Sequence, residues 1–90
     1  MLALIPPVAL NEVGKVFTFG ATKYGADNWR GGLSYRRLIS AAMRHINAYN
    51  SGEDIDPESG ISHLAHANAN LLMLCEFTAL GLGEDDRWIR

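Results

Sequence analysis

Cysteine is nearly missing from this 90-residue chain; Cys75 is the only one. A lone thiol excludes the disulfide framework by which small secreted domains offset a small core. Cys75 also stands in a leucine-rich helical pattern, so it reads as a core thiol of a protein in a reducing, cytoplasmic compartment. No apolar run reaches the length of a membrane span. Residues 1–10 lack the basic start of a signal peptide and carry Pro6-Pro7. A membrane partner is therefore not expected. A cationic surplus is missing too: eight Lys and Arg face ten Asp and Glu, for a net charge of −2, and the basic residues are spread along the chain. That leaves no electrostatic footprint for a polymeric nucleic acid. There is no internal repeat, low-complexity tract or linker. What is present is apolar: 48% hydrophobic residues, which at this length points to one globular domain over residues 1–90, near the lower limit of what folds alone.

The apolar residues recur at spacings near 3.6, which predicts helices. Pro6-Pro7 can open the first, and Val13, Val16 and Phe17 continue it until the pattern stops at Gly20. Residues 20–33 hold four glycines with Asp27 and Asn28, the composition of a structured loop. Ser34 fits the N-cap of a second helix. Its Tyr35, Leu38, Ile39, Ala42, Met43, Ile46 and Tyr49 share a face, with His45 at the edge and Arg37 and Arg44 seven apart on the opposite side. Asn50-Ser51-Gly52 ends it. Asp56-Pro57-Glu58 has the form of a third helix start, with Asp56 as N-cap, and that helix can run to about Gly81. On it Ile61, Leu64, Ala65, Leu72 and Cys75 make one stripe. His63, His66 and Asn70 make another, which continues into Met73, Leu74 and Phe77. Two helices cannot easily cover both sides of a third. The expected architecture is therefore an all-α bundle of three main helices completed by homo-oligomerisation, as a dimer or tetramer. The charged tail, residues 83–90, either frays or docks on a partner.

Residues 44–70 concentrate the chemistry. They hold all three histidines, His45, His63 and His66, and four of the ten acids within six positions: Glu53, Asp54, Asp56 and Glu58. His63-x-x-His66 on a helix presents two imidazoles on one side, a workable metal-ligand spacing. Glu53 and Asp56 can complete a nitrogen and oxygen set suited to Mn, Co or Zn, or to Mg if carboxylates and water dominate. The plainer alternatives stand beside this: hydrogen-bonded interface histidines, an Asp56 that only caps a helix, and a Glu53-Asp54 turn that is only solvated. The glycine-bearing loop adds Lys23 and Arg30, which are cations of the phosphate-binding type, and Tyr24 and Trp29, on which a base could stack. For Trp29 the alternative is a core anchor; for the cations it is plain surface charge. Arg37 and Arg44 form a face that solvation would explain. Arg44 is the stronger functional candidate because it adjoins His45.

Taken together, LIPPVALNEVGKVFTFGATKYGADNWRGG, then RH, then GEDIDPESGISHLAHANAN, resemble the small phage and bacterial family described as dATP/dGTP diphosphohydrolase-like. That family is grouped with the MazG-type all-α nucleoside triphosphate pyrophosphatases. The resemblance covers residues 4–76. It implies an all-α, usually oligomeric fold, a divalent metal, and cleavage of a purine deoxynucleoside triphosphate to monophosphate and pyrophosphate. For a phage-encoded member the compartment is the host cytoplasm. The better-known relatives hold magnesium with ExxE and ExxD on neighbouring helices. Here residues 34–50 carry no acid, ExxD falls in the turn as Glu53 to Asp56, and the third helix offers His63 and His66. The resemblance then suggests Glu53, Asp56, His63 and His66 as ligands of Mg or Mn, with Co or Zn as substitutes, and Glu58 as the base for an attacking water. Lys23, Arg30 and Arg44 would clamp phosphates beside His45, and Asn28, Trp29 and Tyr24 would hold the base. A helical interaction module and a nucleotide- or metal-binding protein without turnover are the rival readings.

Overall fold

The computed structural model describes residues 1–89. Three helices carry it: α1 (Pro7–Tyr24), α2 (Tyr35–Asn50) and α3 (His63–Leu80), with short 3₁₀ turns at Leu2–Leu4 and Asn28–Gly31. Among the described residues there is no strand, only two isolated bridges, Ser34 with Glu84 and Ile55 with Ser62. The all-α expectation holds.

Two predicted boundaries move. The first helix does not stop at Gly20 but runs on to Tyr24, so Lys23 and Tyr24 lie on its last turn rather than in a loop. A glycine weakens a helix by about 1 kcal/mol against alanine but does not end one. The stop comes at Gly25, whose φ of 95° the helix cannot continue, and whose N–H donates to Ala21 O at 2.9 Å. The third helix does not start at Asp56. Ser62 is its N-cap, its hydroxyl accepting from Leu64 N–H at 3.1 Å. Asp56 caps a turn instead: its Oδ1 accepts from Glu58 N–H, and its carbonyl accepts from Gly60 N–H. Gly60, at φ 72°, then turns the chain away before a helix can propagate.

α3 is the central element, packed against both α2 and α1. Tyr35, Leu38 and Phe77 form one buried cluster, extended by Trp29, Leu33, Met73 and Leu74. Val13, Ala65 and Ala69 form a second, extended by Val16, Phe17 and Ile61. On α2 the buried line is Tyr35, Leu38, Ala42, so His45, three residues on, falls in the same line rather than at the edge of the face. Met43, Ile46 and Tyr49 stay exposed. On α3 the stripe through His63, His66 and Phe77 is covered. Of the other, Ala65 is buried and Ile61 partly so, but Leu64 and Leu72 are not. Cys75 is exposed, contrary to the core-thiol expectation, because it shares the outer side of α3 with Leu71 and Leu72.

The tail docks, and on its own chain. Tyr35 N–H donates to Glu84 O at 2.9 Å, Glu84 N–H to Leu33 O at 3.1 Å, and Tyr35 Oη–H to Leu82 O at 2.8 Å. Asp86 accepts from Ser34 Oγ–H and from Arg36 N–H, so an acid from the tail caps the start of α2. These bonds hold the Asp86 carboxyl below its ordinary range, the Ser34 hydroxyl most of all.

Candidate nucleotide and metal site

α1 and α2 each lean on α3 and leave a cleft of about 1090 Å³ between them. α1 lines it with Phe17, Phe19, Lys23 and Tyr24, α2 with Arg37, Ala41, Arg44 and His45. The floor is α3: His63, His66, Ala69, Asn70 and Met73.

All three histidines meet at one end of that floor. His45 comes from α2, while His63 and His66 sit on the first turns of α3 as Ser62 starts it. The 51–62 turn wraps this end. It is closed by His63 N–H donating to Asp54 O and Asp56 N–H donating to Ile61 O. In that position Glu53 Oε1 lies 2.6 Å from His63 Nε2, and Asp56 Oδ2 lies 3.5 Å from His66 Nε2. Ser59 Oγ, which accepts from Ile61 N–H, is hydrogen-bonded to His66 Nε2 at 2.6 Å. The His45 and His66 rings stack at 4.5 Å, nearly parallel. Burial lowers the pKa of both His45 and His66. For His45 the neighbouring His66 adds to the effect; for His66 the Asp56 carboxylate opposes it.

The Glu53 contact fixes a tautomer. An ionised carboxylate only accepts, so His63 donates through Nε2–H, and in its metal-binding form Nδ1 is the nitrogen that carries the lone pair. That Nδ1 lies 2.8 Å from His45 Nδ1, and the two share a hydrogen bond whose proton a bound ion would replace. An orienting carboxylate behind an imidazole, with the other nitrogen turned inward, is how metal-binding histidines are held. His45, Asp56 and His63 each offer a ligand atom, all within 4.8 Å of one another. The donor set fits a divalent ion.

The family model that describes the N-terminal part of dATP/dGTP diphosphohydrolase matches residues 1–87. The chain belongs to that family. It is 38% identical over 90 residues to a dATP/dGTP diphosphohydrolase of Salmonella phage PMBT28, with 97% of this chain and 30% of that protein covered. The chain thus spans less than a third of that relative's length. No solved structure matches it. The dATP/dGTP diphosphohydrolase N-terminal match extends beyond residues 4–76, over which the resemblance was read, into the tail that docks on α2.

Against this frame the sequence candidates divide. His63, Asp56 and His45 converge, and His45, read as a substrate residue, stands among the ligand atoms. Glu53 backs His63 and is outside that trio, as is His66, whose Nε2 faces Ser59 and Asp56. Glu58 lies at the rim of the cleft, its Oε1 accepting from Lys23 at 2.5 Å. That bond, and then Tyr24, raise the Lys23 ammonium above its ordinary pKa. Arg30 is paired with Asp27 at 2.6 Å and lies over the Trp29 ring at 4.6 Å. Trp29 itself packs against Phe17 and Phe77 in the core. Asn28 and Tyr24 are exposed on the cleft wall. Sequence reasoning missed Ser59, whose only signal is its place in the ESG motif, and Phe19, whose ring meets His66 edge-on at 6.4 Å.

Proposed function

We propose that this chain provides the nucleotide- and metal-binding site of a diphosphohydrolase that splits purine deoxynucleoside triphosphates, dATP or dGTP, into monophosphate and pyrophosphate. The observation that carries the reading is the His45, Asp56, His63 trio at one end of a cleft large enough for a nucleotide, in a family whose phage relative is named for this activity. Asp56, His45 and His63 would hold the ion, and Glu53 orients His63 toward it. Two imidazoles and one carboxylate suit Mn, Co or Zn better than Mg, which prefers an all-oxygen shell. When bound, such an ion supplies neutralisation of charge on the phosphate oxygens and a more acidic water.

The chain's own residues do the rest. Glu58 keeps its second oxygen without a partner among the described residues and is the base that accepts the proton of the attacking water. Water adds to the α-phosphorus, the bond from that phosphorus to the bridging oxygen breaks, and pyrophosphate leaves. Asn28 and Tyr24 flank the base, and Trp29 supports the wall beneath them. Burial lowers the His66 pKa and so disfavours, beside the ion site, a positive charge that would repel metal. The assembly is a homo-oligomer, since the outer side of α3 exposes Leu64, Leu71 and Leu72. The deciding experiment incubates the protein with dATP or dGTP and each of Mn, Mg, Co and Zn, detecting pyrophosphate separately from phosphate. Pyrophosphate with monophosphate in equal amounts is expected. Orthophosphate alone would refute the reaction class. No product, together with no rise in melting temperature on adding MnCl2 and dGTP, would refute the site and favour a helical interaction module.

A further inference from the structure

Four cations line the cleft: Lys23, Arg30, Arg37 and Arg44. Two are already neutralised, Lys23 by Glu58 and Arg30 by Asp27. Arg37 and Arg44 have no carboxylate partner among the described residues. They are seven residues apart on α2, so they share a side of the helix about 10 Å apart along its axis. Ala41 lies between them on the same wall, and its methyl leaves the intervening surface open. Arg44 adjoins His45 on α2 and lines the same cleft, so this end of the pair borders the proposed ion site. Two guanidinium groups with unused donors, spaced along an open wall that leads to a metal site, make a receptor for a chain of phosphates.

We propose that Arg37 and Arg44 together hold the phosphate chain of the ligand across Ala41, and that Lys23 and Arg30 serve the architecture of the rim instead. The assignment rests on the reading of the cleft as a nucleotide site but does not require turnover. It adds Arg37, read from the sequence as a solvated charge, and it takes Lys23 and Arg30 out of the phosphate clamp. The direction of the ligand follows: phosphates along α2 toward the histidines, and the nucleoside toward the wall made by Tyr24, Asn28 and Trp29.

The test is titration calorimetry with inorganic tripolyphosphate as the probe, without metal, on the folded chain. Arg37→Gln and Arg44→Gln should each lower its affinity at least about tenfold, the loss of one charge-assisted contact. Arg36→Gln, on the same helix but outside the cleft, should leave it unchanged. Lys23→Met should have the smaller effect of the cleft cations. Binding should weaken with added salt, and Mn²⁺ binding by Arg37→Gln, the variant farther from the ion site, should match the parent. Circular dichroism of each variant checks the fold, and Arg→Lys at the same positions should restore part of the affinity. Tripolyphosphate binding that follows this pattern supports the assignment even if no nucleotide is hydrolysed, which would then count against the proposed reaction alone. Unchanged affinity in both Arg→Gln variants, no binding by the parent, or a larger loss from Lys23→Met would overturn it.

Discussion

At the scale of single residues the site depends on proton placement. Glu53 lies outside the proposed ligand trio; by holding His63 Nε2 it turns Nδ1 toward His45. Glu53→Gln keeps an acceptor for His63 Nε2–H but removes the charge that makes the imidazole a better donor. Its metal affinity should fall roughly 10–100-fold, as for other orienting carboxylates, with the fold intact. Calorimetric titration with Mn²⁺ measures this, and parental affinity would mean that His63 is not a ligand. The same residues set the pH response of the metal-free protein. His45 and His66 have lowered pKa values because they are buried among one another and His63, with Asp56 and Glu58 only partly compensating for His66. Between the folded value and 6.5 the unfolded chain therefore binds more protons, and stability falls as pH drops through 6.5 until the folded value is passed. Urea midpoints on either side of pH 6.5 should show this slope, and His45→Gln/His66→Gln should flatten it. A parent whose midpoint is constant over that interval would contradict the burial argument.

At the scale of elements, two glycines make opposite predictions. Gly14 is exposed in the middle of α1, and a methyl there would meet nothing within 4 Å. Gly14→Ala should raise stability by about 0.5–1 kcal/mol. Gly83 has φ +79°, and a methyl would sit 2.7 Å from Leu33 O. Gly83→Ala should cost more than about 1 kcal/mol and release the tail, seen as faster hydrogen exchange at the Tyr35 and Glu84 amides. Equal melting temperatures for the two variants would refute the docked tail. The element scale is also where the sequence was most and least legible. Apolar spacing located all three helices, and Ser34 announced α2 correctly. It misplaced the start of α3 because Asp-Pro-Glu is the same signal for a capped turn and for a capped helix; Gly60, two residues on, decides between them. It stopped α1 early because a glycine's effect depends on its φ, which composition does not reveal. The convergence of His45 with His63 was only half legible: their concentration in one segment is visible, but an 18-residue separation brings the rings together only through the antiparallel return of α3 along α2. The free state of Arg37 and Arg44 was invisible, since pairing is a property of three-dimensional neighbours.

At the scale of the molecule, part of the apolar surface of α3 stays open to solvent. α3 buries His63, His66 and Phe77 on one side and leaves Leu64, Leu71 and Leu72 between 42% and 49% exposed on the other, beside Cys75. Scattered surface leucines are ordinary; four apolar positions along one side of one helix are the ground for proposing that this face is covered in an assembly. The matched part is 30% of the phage relative, so in a longer protein such a face has other segments available to cover it. For this chain, a second copy is the proposed occupant. The prediction uses Leu72, the most exposed of the three leucines on this side of α3. In a monomer Leu72→Glu replaces a half-exposed side chain and should change stability by no more than about 0.5 kcal/mol. In an oligomer it places a carboxylate in a desolvated interface, where an unpaired charge is costly. Light scattering at micromolar concentration should therefore give an oligomeric mass for the parent and a monomeric one for the variant. The parent's melting temperature should rise with protein concentration, while the variant's should not. A monomeric parent, with a concentration-independent melting temperature, would show that this face is left open in the chain as it stands.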